Sequence, residues 1–291
     1  MDRYTLSDLE KLSGIMSGTI RIWERRYRII KPHRTATNRR WYDDDDLRRI
    51  INISILNRSG IKISKIATLS GSQIEEQVAS LATKEIGPDT QINSLIIAMT
   101  ALNESSVNEI LLRSIINSGF EKTFTEVVFP FLKRVGILWH TGSVNVGAEH
   151  FISNTFRRRL IAAIDALPPP TMPERQRVLL FLPENELHEM GLLFYTYLVK
   201  RMGHEALYLG QSTPINAVAD VAEQWQPEIL ITGALSDLPF SKTEDYLKLL
   251  VTTFPGRKIL VSGALAVEAG KSSFPNIFAV WSADDLKIHL S

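Results

Sequence analysis

The amino-acid sequence predicts a multidomain chain: a small basic helical unit built on a helix-turn-helix, a helix bundle, and an α/β doubly wound parallel sheet. Three observations carry that expectation. Residues 1–70 hold 15 Lys/Arg against 8 Asp/Glu, a balance of +7, and the remainder holds 18 against 24, so the net charge of +1 conceals one strongly basic end. Between residues 74 and 166 the apolar residues recur every three or four positions, the period of amphipathic helices. After the stiff run PPPTMP at 168–173, short β-rich runs alternate with helical ones, the pattern of a parallel sheet covered on both faces. The boundaries expected are a basic helix-turn-helix unit over 1–73, a bundle over 74–167, a Pro-rich linker over 168–175 and a sheet domain over 176–291.

Within the basic unit, TLSDLEKL at 5–12 reads as a short helix capped by Thr5 or Ser7. SGIMSG follows as a turn, and SGTIRIWERRY begins a second helix with Ser17 as its cap. Ile20, Trp23 and Tyr27 share one face of it, which leaves the arginines for base edges or phosphates. The candidates there are Thr19, Arg21, Arg25, Arg26 and Arg28. IIKPHRTATNRRWY then suggests a basic hairpin offering Arg34, Arg39, Arg40 and Tyr42, and the run DDDD at 43–46 reads as the acidic N-terminus of a further helix, not as a metal site. Together, IRIWERRYRIIKPHRTATNRRWYDDDDLRRI resembles the DNA-binding domain of MerR-type transcription regulators, a winged helix-turn-helix, over about the first 70 residues.

The bundle is expected to have four or five helices, with Pro130 either kinking the fourth or starting it afresh. In the sheet domain, chemistry belongs at the carboxyl ends of the strands. The loop after the first strand, ENELHEMG, lacks the glycines of a dinucleotide site and offers Glu186, His188 and Gly191 instead. Gly191 lets a large flat ligand approach the backbone, and Glu186 can orient the imidazole of His188. No three further ligands lie nearby, so the histidine suits a metal that brings its own equatorial ligands. An exposed surface histidine is the alternative reading of these residues.

This spacing resembles the cobalamin-binding loop Asp-x-His-x-x-Gly, in which the histidine replaces the cofactor's own base beneath cobalt, with Glu186 in place of aspartate. Two departures accompany it. The family's Ser-x-Leu after the third strand is here Gly233, Ala234, Leu235, and its Gly-Gly pair after the fourth is Ser262, Gly263. By resemblance both line the tunnel for the displaced nucleotide tail.

The bundle contributes WHTGSVNVGAEH at 139–150. By themselves these residues fit a core aromatic with satisfied polar neighbours, or a zinc site from His140, Glu149 and His150 that lacks a fourth ligand. With the domain order, the Trp-x9-Glu-His pattern resembles the CarH and LitR class of adenosylcobalamin-dependent photoreceptor repressors over nearly the whole chain. The resemblance implies that Trp139 covers the upper face of the corrin, and that Val146, Glu149 and His150 shape the adenosyl pocket. It also makes His188 the lower cobalt ligand, and His140 the upper one after light. It implies a double-stranded DNA operator, a homo-oligomer that is a tetramer in the dark and smaller after light, and no catalytic activity. The alternative keeps the fold but drops the cofactor: a regulator controlled by a protein partner such as an antirepressor. A corrinoid methyltransferase carrier leaves the basic end unexplained, and a drug-sensing MerR-type activator leaves Glu186 and His188 unexplained.

No cysteine is present, no basic-then-apolar leader opens the sequence, and no apolar run approaches the roughly 18–20 residues of a membrane span. A soluble, cytoplasmic protein is expected.

Overall fold

The computed structural model describes residues 4–35, 38–81, 87–140, 145–170, 173–235, 243–271 and 274–291, with the backbone path alone at 79–81 and 137–140. The chain forms two compact units, residues 1–156 and 157–291.

The first unit opens with α1 (Leu6–Ser13) and α2 (Ser17–Tyr27). Thr5 caps α1 in a reciprocal box: its backbone N–H donates to Asp8 Oδ2 at 2.7 Å, and its hydroxyl accepts from Asp8 N–H at 3.3 Å. Gly14 ends α1 at φ +69°, a left-handed turn that starts the link to α2. Ser17 is the first residue of α2 and not its cap, because Met16 holds that position and no side chain caps the helix. A hairpin of β1 (His33–Arg34) and β2 (Arg40–Trp41) follows, with Asn38 at φ +64° and His33 stacked on Trp41 at 4.3 Å. Asp43 caps α3 (Asp44–Arg58), and Asp46 closes the box. The acidic run is therefore a helix N-terminus, as its position in sequence suggests. Then come α4 (Ile63–Ile66) and α5 (Gly71–Leu81), which packs on α3.

The bundle helices are α6 (Pro88–Thr100), α7 (Glu104–Ser118), the short α8 (Phe120–Thr123), α9 (Phe129–His140) and α10 (Val146–Asp165). Between α8 and α9 lies a π-helical turn, Phe124–Val128, in which Phe129 N–H donates to Phe124 O five residues back. Pro130 explains it. A proline ring collides with the carbonyl four residues earlier and has no N–H to give, so the chain widens one turn just ahead of it. Phe124, Val127, Val128, Phe131 and Val135 are all buried, and Phe131 meets Phe156 edge-on at 5.6 Å.

The second unit holds β3 (Arg177–Phe181), α11 (Met190–Arg201), β4 (Glu205–Gly210), α12 (Ile215–Trp225), β5 (Ile229–Ala234), α13 (Thr243–Thr253), β6 (Lys258–Gly263), α14 (Ala264–Ala269), β7 (Ile277–Ala279) and α15 (Ala283–Leu290). Among the described residues the sheet has the order β4-β3-β5-β6-β7, every pair parallel. The inner strands read as apolar runs because both faces are covered: Val178 to Phe181 and Ile229 to Ala234 are buried throughout. The chain leaves β3 for β4 on one side and reaches β5 on the other. That reversal puts the topological switch point, where folds of this kind bind ligands, at the carboxyl ends of β3 and β5.

Candidate functional site

Glu186 is the fixed point of the loop that follows β3. It is 1% exposed. Its Oε1 accepts from the backbone N–H of His188 at 2.8 Å and faces His188 Nδ1 at 2.6 Å, while its Oε2 accepts from Leu235 N–H, at the carboxyl end of β5, at 2.6 Å. Both oxygens act as acceptors for backbone N–H groups, so the proton of the imidazole belongs on Nδ1. Nε2 is left with its lone pair on a side chain that is 59% exposed. The longer arm of glutamate spans from the histidine loop to the adjacent strand end. The loop is braced again from the end of β4, where Ser212 Oγ accepts from Asn185 N–H at 3.0 Å and the Gln211 amide donates to Leu187 O at 2.6 Å.

Gly191 lies in the first turn of α11, and a Cβ there would meet nothing within 4 Å. The other two glycines are crowded. Gly263 has φ +64°, and a Cβ would fall 2.2 Å from Ala234 O, so no other residue fits. A Cβ on Gly233 would fall 2.3 Å from Ser262 Oγ. Gly233 and Ser262 are register partners on β5 and β6. The two departures from the family pattern are therefore a single exchange: the hydroxyl missing from one strand is supplied at nearly the same place by its neighbour. Ser262 Oγ lies 3.5 Å from Thr232 O and bonds the Tyr195 hydroxyl, whose pKa burial raises. A free histidine nitrogen, open space at Gly191 and this hydroxyl-lined cradle suit a corrinoid with a tail.

Sequence reasoning missed Glu189. It is buried beside His188, and its carboxylate takes the Arg157 guanidinium on one oxygen and the Tyr208 hydroxyl on the other. Burial, with Glu189 against it, pushes the Tyr208 pKa up. The pair links α10 to the histidine loop. Only its long-range partners distinguish Glu189 from an ordinary helix-start glutamate.

At the start of α10, Val146 and His150 are exposed and Glu149 is half-buried, its Oε2 2.9 Å from His150 Nδ1. The side chains of Trp139 and His140 lie outside the described residues, and so does any zinc site that includes His140. Among the described residues, His33, Asp43 and Asp46 form the one cluster with metal-ligand chemistry, and both carboxylates already serve the cap of α3.

On the basic unit Arg21, Arg25, Arg26, Arg28, Arg34, Arg39 and Arg40 are all exposed, and Thr19 is half-buried. Tyr42 corrects the expectation. It is 0% exposed, its strand-like bridge to Tyr4 turns it into the core, and burial, with Glu24 nearby, pushes its pKa up to about 12. It cannot meet DNA. Ile22, exposed on α2 among the arginines, was not anticipated and offers an apolar contact of the kind a thymine methyl accepts.

Residues 4–72 match the MerR HTH family regulatory protein model, and residues 91–163 match the B12 binding domain model. The HTH-type transcriptional repressor CarH of Myxococcus xanthus is 30% identical over 90% of this chain and 89% of its own length. This chain belongs to the CarH family. CarA of the same organism, also an HTH-type transcriptional repressor, is 26% identical over 83% of this chain and 79% of its own. Among solved structures, the monomethylamine corrinoid protein of Methanosarcina barkeri superposes with a TM-score of 0.54 at 16% identity, over 67% of this chain and 95% of that one, a likeness of fold. As a CarH-family protein the chain is a DNA-binding, cobalamin-binding transcription repressor, not an enzyme. None of its described helices is long and apolar enough to cross a membrane.

Proposed function

We propose that the protein is a light-responsive repressor that binds adenosylcobalamin and holds its operator as a tetramer in the dark. The observation that carries this reading is the Glu186–His188 pair, whose geometry leaves Nε2 free as a neutral metal ligand. When bound, adenosylcobalamin supplies a cobalt–carbon bond that visible light breaks. His188 would hold the cobalt through its Nε2. By the family resemblance, Trp139, Val146, Glu149 and His150 would hold the adenosyl group, and His140 would serve as a metal ligand after light. Gly233, Leu235, Ser262 and Gly263 would hold the nucleotide tail. The functional division follows residues 1–73, 74–167 and 176–291, joined by the linker at 168–175.

Several reading heads on one assembly gain affinity through linkage, and a single head releases DNA at physiological salt. The test is size-exclusion chromatography of protein loaded with adenosylcobalamin in darkness, before and after green light. A shift to a smaller species is expected, and an unchanged elution volume in protein that has photolysed ends the reading. Loss of the corrinoid spectrum on desalting favours the second reading, control by a protein partner. On DNA, Arg25→Ala is expected to cost about 1–3 kcal/mol and relax specificity, whereas Arg39→Ala weakens all sequences alike and lowers the salt slope by about one. Anisotropy titrations at several salt concentrations separate the two.

A further inference from the structure

Arg134 lies on α9, and its guanidinium reaches out of the bundle into the DNA-binding unit. Nε donates to Lys11 O at 2.7 Å, one terminal nitrogen bonds Leu12 O, and the other donates to Asn93 Oδ1 at 3.0 Å. Lys11 and Leu12 are in the last turn of α1, where helix carbonyls lack intrahelical donors. Arg58 of α3 takes the next two carbonyls, Ser13 O at 3.3 Å and Gly14 O at 3.5 Å, and pairs with Asp89 of α6 at 3.5 Å. The carbonyls leading into the turn before α2 are thus held by two arginines, one from α3 and one from the bundle.

The arrangement costs the protein something. Burial, with Arg58 nearby, pushes the Arg134 pKa down to about 10. Its hydrogen-bond acceptors are neutral, and the favourable end of the α1 dipole offsets part of the desolvation. Asn93, fully buried, holds the guanidinium's far side and lies 3.5 Å from Ser54 Oγ of α3. A planar fork with donors in fixed directions suits three acceptors from two elements, and an ammonium does not. Gly14 leaves room: a Cβ there would fall 2.3 Å from an Arg58 nitrogen and 3.6 Å from one of Arg134.

We propose that Arg134 is a positioning residue for DNA recognition, fastening the end of α1 to α9 so that the angle at which a single protomer presents α2 is set by the bundle. Trp139 and His140 lie five and six residues further along the same helix. A displacement of that helix therefore reaches the reading head within one chain, in addition to any change of assembly. The link to light rests on the function proposed above; the link between Arg134 and DNA does not.

The experiment uses the full-length, cofactor-free protein and DNA with a single half-site, so that assembly contributes nothing. Arg134→Gln is expected to weaken half-site binding by about three- to tenfold and to speed amide hydrogen exchange at residues 12–20, with Arg134→Lys intermediate in both. A merely structural arginine would lower Tm and leave the half-site affinity and the exchange of 12–20 in the folded protein unchanged. That outcome overturns the proposal. If Arg134→Gln fails to fold, Arg134→Lys and Asn93→Ala carry the same comparison. A second arm loads wild type and Arg134→Lys with adenosylcobalamin: green light should raise exchange at 12–20 in the wild type and less in the variant. An unchanged wild-type profile after spectroscopically complete photolysis overturns the coupling to light, whereas no photolysis at all is a failure of the proposed function and leaves the first arm standing.

Discussion

Two glutamate–histidine pairs, one in each compact unit, are built differently. In Glu186–His188 the carboxylate is buried, accepts from two backbone N–H groups besides facing the imidazole, and leaves the ring exposed. In Glu149–His150 the side chains are 27% and 68% exposed, with 2.9 Å between them. A buried carboxylate with fixed partners decides which imidazole nitrogen carries the proton. A half-buried one beside an exposed imidazole lets both partners adapt. The first pair suits a permanent ligand, and the second suits hydrogen bonds to a group that arrives and leaves.

The comparison can be broken most forcefully at Glu186. Glu186→Ala frees the imidazole to adopt either tautomer and leaves the Leu235 and His188 amides without their acceptor, so corrinoid affinity should fall by about tenfold to a hundredfold in a spectral titration. A loss under threefold would show that the orienting carboxylate is dispensable. Glu186→Asp tests the reach of the side chain: the shorter arm keeps one partner at the expense of the other, and an intermediate loss is expected. Glu149→Ala should have a smaller effect, about twofold to fivefold, and should discriminate adenosylcobalamin from a corrinoid without the adenosyl group. Equal effects from Glu149→Ala and Glu186→Ala would erase the distinction.

The smallest effect concerns a third histidine with no ligand role. His204 is buried, with its Nδ1 accepting from Gln176 N–H at 3.2 Å, and desolvation lowers its pKa despite a backbone bond to Leu290. A depressed histidine pKa means that the unfolded chain binds the proton first as pH falls. Its contribution is therefore complete above about pH 6.5 and is lost as pH drops through the lower folded value. Thermal melts at pH 7.5 and 5.5 should show a pH-dependent fall in Tm that shrinks in His204→Gln.

The elements were legible because their periods are strong: the apolar spacing of the bundle and the buried runs of β3 and β5 leave little choice of secondary structure. Glu186 and His188 were legible because their contact is local, two residues apart. What escaped depends on partners distant in sequence. Tyr42 looked like a DNA contact because it follows Arg39 and Arg40, and only its bridge to Tyr4 turns it inward. Gly233 and Ser262 looked like two defects, because a strand register is invisible in a linear pattern. Arg134 was not singled out in the sequence, because two of its three acceptors lie more than a hundred residues earlier.

The π-helical turn at Phe124–Val128 gives the chain a spacer whose length can change by one. Such a turn holds one residue more than an α-turn, so deleting a residue within it would restore regular spacing while Arg134 and everything after it keep their facing. The regular turn would then set the Pro130 ring against the carbonyl four residues before it. The deletion alone should destabilise the bundle, and the deletion combined with Pro130→Ala should be tolerated. The proline and the extra residue thus form one structural unit, each making room for the other.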